Sequence, residues 1–219
     1  MEQQLKDLHA FGIDIPDSQL IKHAREKIEQ LYPGYLYNHS IRTAILASFF
    51  GERDRLRYDK EVVVVASLLH DLGVTEGYHS DHRHEVDSAN ATRHFLIGEG
   101  IDERRQQLAW DAVALTSSTG IAEYKEPEVA LVYLAAGCDF GGLRGSEVPA
   151  DLVSYLFEQW PRQNGVQRLT DAIMNQAQHN PKKIVPFTIT AALAEGKVPG
   201  YRSVPVELVT QDYWEQKQG

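Results

Sequence analysis

Residues 62–79 read VVVVASLLHDLGVTEGYH, and the fold turns on how this stretch is read. Eight uncharged, mostly apolar residues run straight into His70 and Asp71, two groups that are costly to bury unless something pairs with them. Four consecutive valines favour a strand by propensity. The length of the segment and the Ala-Ser-Leu-Leu that follows instead predict a fully buried helix over residues 60–72, stopped by Gly73.

Working outward, helical spacing dominates the chain. Asp17 or Ser18 can cap a helix carrying Leu20, Ile21, Ala24, Ile28 and Leu31, ended by Pro33-Gly34. A second opens at Tyr37 or Asn38, with Ile41, Ala44, Ile45 and Ser48 on its inner side. After a His- and Asp-rich loop over residues 75–84, further helices are expected at 85–97, 102–115, 126–140, 150–160 and 166–178. Gly141-Gly142 and Pro181-Lys182-Lys183 punctuate them. No repeat or low-complexity tract interrupts the pattern. The expectation is one all-α domain over residues 1–219, a compact helical bundle with a less regular tail from about residue 181.

Composition narrows the function. A chain of 219 residues with 42% apolar content can bury a sizeable core. The net charge of -9 disfavours nucleic acid and anionic membrane surfaces, both of which attract basic proteins. Cys138 is the single cysteine, so no internal disulfide forms. The start, MEQQLKDLHA, has neither the basic residues nor the apolar run of a secretory signal, and the expected location is cytoplasmic.

A metal site would explain why an apolar segment ends on His-Asp. Neighbours on one helix lie roughly 100° apart around its axis, so His70 and Asp71 can both lean toward one ion. His39 and Asp139 are the best candidates to complete the shell, because each sits in or against an apolar helical context. Two imidazoles and two carboxylates form a borderline set that suits one divalent ion, zinc first and iron or manganese next. The dipeptide alone is weak: with nine His and fourteen Asp, about 0.6 such pairs arise by chance. The plainer alternative has His70 capping a helix and Asp71 opening a turn.

The ordered set of YNHSIRTA around His39, ASLLHDLG around His70-Asp71 and AAGCDF around Asp139 resembles the HD-domain superfamily of metal-dependent enzymes. LLHDLGVTEGY, HEVDSANATRHFL, WDAVAL and GIAEYKEPEVALV look more narrowly like its cyanamide-hydratase-like branch. The resemblance covers roughly residues 35–145. It implies an all-α fold, a divalent metal held by His39, His70, Asp71 and Asp139, and attack by metal-activated water on a small nitrile-type substrate. Elsewhere in the superfamily the same shell hydrolyses phosphate esters. Two positions depart from the branch: Thr116 stands where relatives commonly carry histidine, and His84 where an aromatic residue is expected. The loss at Thr116 also argues against the HD-type di-iron oxygenases, which need further histidines.

Other residues enter as candidates beside plainer readings. Arg42, one turn after His39, can bind an anion or orient a ligand carboxylate. Glu76 can act as general acid or base from the loop, and His84 or His82 can stand in for the missing histidine. Thr116 and Lys125 can contact substrate. Glu85 and Asp87, at a helix start, are explained by dipole complementarity. The expected partner is a small molecule. Tyr201, Tyr213 and Trp214 pack back on the domain or form a contact between copies. A phosphohydrolase is the second reading, requiring basic residues to converge on the site, with Arg42, Arg93, Lys125 and Arg144 as candidates. The third is a catalytically degenerate HD fold that binds a ligand or partner.

Overall fold

The computed structural model describes residues 7–204, and no strand occurs among them. The helices are α1 (Gln19–Leu31), α2 (Gly34–Arg53), α3 (Lys60–Leu69), α4 (His84–Gly98), α5 (Glu103–Ala114), α6 (Pro127–Gly141), α7 (Ala150–Gln159), α8 (Gly165–His179) and α9 (Ile189–Ala194). None of the described helices is long and apolar enough to cross a membrane. Tyr201 packs against the core, while Tyr213 and Trp214 lie outside the described residues.

The valine run resolves as the central helix. Val62 to Leu69 of α3 are all buried, and α3 packs against α1, α2, α5 and α6. A helix that is apolar all round belongs in such a place, where packing outweighs the strand propensity of valine. Its start is fixed by Asp59, whose carboxylate accepts the Val62 N–H at 3.1 Å and pairs with Arg105 of α5 at 2.8 Å. Those contacts tie the start of α3 to a neighbour.

Two boundaries differ from expectation, and both bear on the site. Helix α3 ends at Leu69 rather than continuing to residue 72, and the chain tightens into a 3-10 turn at Leu72–Val74. The Gly73 N–H, which a continuing helix would give to residue 69, donates to Ser88 Oγ on α4 at 2.8 Å. A Cβ on Gly73 would lie 2.3 Å from the His84 carbonyl oxygen, so only glycine lets α4 press this closely onto the turn. Helix α2 starts at Gly34, a turn earlier than expected, because the Pro33 carbonyl accepts from Leu36 and Tyr37 and so opens the helix where α1 has just ended. His39 therefore sits inside a formed helix.

The tail is more ordered than its composition suggests. Pro181–Lys183 forms a 3-10 turn, and Thr188 caps α9 by accepting the Ala191 N–H at 3.3 Å. Lys183, 4% exposed, donates to Asp87 at 2.5 Å and to the His82 carbonyl at 2.8 Å. Lys182 and Asn180 both bond Asp81, while Gln176 of α8 donates to the Gly73 and Val74 carbonyls. The tail thus clasps the loop that follows His70-Asp71. Asp87, expected as a dipole-complementing surface residue, is instead the buried anion of this clasp.

Removing one partner of a buried pair leaves an uncompensated charge. Lys183→Ala should cost about 3–5 kcal/mol in chemical unfolding, and Lys183→Met combined with Asp87→Asn should recover most of it. An exposed-pair value below about 1 kcal/mol for the single variant would contradict the clasp.

Candidate metal centre

Helix α2 and the turn after α3 bring His39, His70 and Asp71 together, with one potential ligand atom from each lying within 4.8 Å of the others. His39 Nε2 and His70 Nε2 are 3.2 Å apart, and Asp71 Oδ2 lies 3.7 and 3.4 Å from them. All three side chains are buried. His70 keeps helical angles, while Asp71 adopts φ -109° and ψ 14°, the sparsely allowed bridge conformation in which many active-site residues sit. Ending α3 one turn early is what turns Asp71 toward the imidazoles.

Hydrogen bonds on the outer nitrogens fix what the inner ones present. His70 Nδ1 donates to the Ser67 carbonyl at 2.7 Å, and His39 Nδ1 lies 2.6 Å from Asp139 Oδ2. With Nδ1 as the donor in each ring, both Nε2 atoms carry lone pairs. Burial pushes the His70 pKa down, against the pull of Asp71 and with the help of His39, so the ring is neutral. Asp71 Oδ2 is buried without a hydrogen-bond partner. Two lone pairs and an unsatisfied carboxylate oxygen facing one point repel one another unless a cation sits there, so the residues fit a divalent ion. The two nitrogens and one oxygen also match zinc, iron or manganese by type.

Asp139, expected as a fourth ligand, occupies a different position. Its carboxylate accepts Arg42 Nε at 2.6 Å on Oδ1 and Arg42 Nη2 at 2.7 Å on Oδ2, besides facing His39 Nδ1. Burial would raise its pKa, but the bonds from Arg42 and His39 prevail and hold it well below the usual carboxylate range. Both oxygens are engaged, so Asp139 faces His39 and Arg42 here, and ligating an ion directly would require it to give up one of those bonds.

Arg42, expected as a substrate-binding residue, is engaged with that carboxylate. It is 1% exposed, and its remaining donor serves the Trp160 and Pro161 carbonyls at 2.7 and 3.3 Å. Those two carbonyls, and Arg162, which donates to the Asp139 carbonyl at 2.8 Å, carried no sequence signal.

The cluster forms the floor of a cavity of about 610 Å³. His84 and Thr116 line it, as expected of residues near the chemistry. The Thr116 hydroxyl donates to the Val113 carbonyl at 2.9 Å, leaving its oxygen as an acceptor. His84 Nδ1 lies 3.2 Å from Glu85 Oε2, while His82 is exposed and bonds Ser80. Glu85 is buried at the foot of α4, bound by Arg83 at 2.7 Å and by Ser117, so dipole complementarity does not account for it. Burial raises its pKa, yet His84, Arg83 and Ser117 together bring it down to about 2.

Two expected site residues lie elsewhere. Glu76 is exposed on the loop and does not line the cavity. Lys125 pairs with Asp111 at 3.4 Å and Glu126 at 3.5 Å and is not among the residues that line the cavity. Tyr133, which lines the cavity and donates to Thr119 Oγ1 at 3.1 Å, was missed inside an apolar helix where nothing marks it from core.

The family model for the HD domain matches residues 36–185. The chain belongs to the HD-domain family. The match runs beyond the motif core near residue 145 and takes in α7, α8 and the tail clasp. A search of curated proteins finds no match.

Elemental analysis separates the roles of the two carboxylates. Asp71→Ala should abolish metal binding in a protein that keeps its helical circular dichroism, whereas Asp139→Asn should weaken affinity about 10- to 100-fold through loss of His39 orientation. Equal, complete loss in both would make Asp139 a ligand. Acid titration tests Glu85. Its folded pKa is depressed from the ordinary 4.5, so its contribution is present above about pH 4.5 and is lost as pH falls through 2. Urea unfolding should show wild type losing roughly 3 kcal/mol relative to Glu85→Gln between pH 5 and pH 2.

Proposed function

We propose that this HD-domain protein is a metal-dependent hydratase or hydrolase acting on a small, uncharged, nitrogen-containing compound of the nitrile or cyanamide type. The observation that carries the reading is the His39/His70/Asp71 cluster at the floor of a cavity whose described lining offers no free cation. HD domains are typically metal-dependent hydrolases. His39, His70 and Asp71 would hold the ion, with zinc as the first choice. A divalent ion there supplies Lewis acidity and lowers the pKa of a coordinated water toward neutrality.

The chain's own groups supply the rest. His84 has one nitrogen turned to the buried Glu85 carboxylate, which leaves the other for proton exchange with a bound substrate. Glu85 is itself held by Arg83 and Ser117, so the imidazole has a fixed orientation. Thr116 and Thr119 offer hydroxyl oxygens to the donors of an amide-like product. This is chemistry that histidine at position 84, rather than at 116, can serve.

The phosphohydrolase reading requires basic residues that are not there to receive a phosphate. Arg42 is consumed by Asp139, Arg93 bonds Gln107 on the exterior, and Lys125 pairs with Asp111. Arg144 reaches the cavity but is bound to Glu147 by two hydrogen bonds of 2.7 Å.

Reconstituted with zinc, iron or manganese in turn, the protein should turn over cyanamide or a simple nitrile and leave nucleoside monophosphates intact. His84→Gln should lower kcat about 10²- to 10⁴-fold with metal content unchanged. Turnover of the monophosphates alone would replace this reading with the phosphohydrolase, and inertness toward both classes under every metal would favour a binding protein.

A further inference from the structure

We infer that the cavity above the cluster is built for a neutral substrate with an extended apolar group, and that α8 and α9 set this specificity. The inference rests on the proposed function for which end of the cavity is reactive, and adds what the rest of it holds.

The first observation is size. At about 610 Å³ the cavity falls within the roughly 300–1,000 Å³ typical of sites for drug-sized ligands. Cyanamide, with three heavy atoms, would leave most of it to water. The second is the make-up of the walls. His84, Thr116, Ser117, Thr119 and Tyr133 line the cavity with polar groups, and Phe140, Leu143, Leu169, Ile173, Ile189 and Leu193 line it with hydrocarbon. A molecule filling the cavity can meet the first set with a hydrogen-bonding head and the second with a hydrocarbon body.

The third observation is charge. Asp71 and Arg144 are the only acidic or basic side chains other than histidine among the described lining residues. Asp71 faces the histidines, and Arg144 is neutralised by Glu147 and, at 3.4 Å, by Asp54. An anion placed against the apolar side chains would lose hydration, and the one cation in the lining, Arg144, would have to leave Glu147 and Asp54 to replace it. A neutral group loses little there and gains burial.

Four of the six apolar wall residues come from α8 and α9, beyond the HD motif core. Leu169 and Ile173 are one turn apart on α8, and Ile189 and Leu193 one turn apart on α9, so two helical stripes close on one space. Helix α9 has six residues and packs on α8, with Ile189 40% exposed. Its outward stripe has apolar side chains where the opening of the cavity would tolerate polar ones. These four are specificity-determining positions.

The test is calorimetric binding of straight-chain primary amides, acetamide to octanamide, and of alkyl phosphates of matching length, to the metal-free and zinc-loaded protein. In both forms amide affinity should rise about fourfold per added methylene until the wall is covered, and in the metal-free protein amides should exceed phosphates of equal length. Leu193→Asn should flatten the dependence on length while leaving acetamide binding unchanged. Ile189→Asn, at a more exposed position, should do the same in part and guards against misfolding of the first variant. Affinity independent of chain length, or alkyl phosphates binding the metal-free protein more tightly than amides, would overturn the inference. Binding to metal-free protein is read without turnover, so a loaded enzyme that binds long amides but hydrates nothing would count against the proposed reaction alone.

Discussion

A single buried carboxylate organises the centre of this protein. Asp139 reaches from α6 to receive two of the three Arg42 nitrogens and the outer nitrogen of His39, the two residues lying on α2. A guanidinium that is 1% exposed is tolerable only if its donors are met, and the carbonyls at 160 and 161 complete that requirement. Helices α2 and α6 and the segment between α7 and α8 are therefore locked by polar geometry as well as by apolar packing. The functional consequence lies one bond further in. With His39 Nδ1 turned to Asp139, its Nε2 is left toward His70 and Asp71, where a cation would satisfy all three groups.

The second constraint is the tightness of the turn at residues 69–74. Asp71 reaches the imidazoles only because α3 stops at Leu69, and α3 stops there because Gly73 gives its N–H to Ser88 under the first turn of α4. That same closeness brings His84 to the cavity rim. The tail holds the arrangement from outside, with Gln176 on the Gly73 and Val74 carbonyls and Lys183 on Asp87. The family match ends at residue 185, just past Lys183, so the first residues of the tail, which form this clasp, fall within the matched span.

Much of this was legible in the sequence, for identifiable reasons. Helical periodicity is a local signal, and the cap expected at Asp17 or Ser18 is Ser18, whose hydroxyl accepts the Ile21 N–H. The ordered segments around His39, His70-Asp71 and Asp139 resembled the HD-domain superfamily, and the family model over residues 36–185 bears that out. What the sequence left open depended on contacts between distant parts of the chain. Whether Asp139 ligates an ion or orients a histidine depends on a guanidinium brought alongside it by folding. Whether Glu85 and Asp87 decorate a helix start or sit buried depends on Ser117 and Lys183, which lie 32 and 96 residues away. Lys125 read as a reagent because its turn matched a pattern, yet it pairs with Asp111 and Glu126. Tyr133 went unread since nothing local separates a cavity wall from core.

The distribution of charge gives the substrate question its sharpest form. The chain carries 22 basic residues against 31 acidic ones, and the arginines near the centre are each matched to a carboxylate or a carbonyl. A net charge of -9 leaves a field that discourages the approach of anions, and the cavity interior adds no free cation to reverse it. Enzymes that transfer or hydrolyse phosphate invest heavily in positive groups around the leaving oxygens, because charge stabilisation is most of what such catalysis consists of. Here the investment is of another kind. The positive charge available to a reacting atom would be that of one ion held by His39, His70 and Asp71, and the remaining lining mixes hydroxyls with hydrocarbon. On the proposed reading, such a site would polarise a neutral multiple bond more readily than it would hold a phosphate, because a neutral group needs no matching cation in the walls.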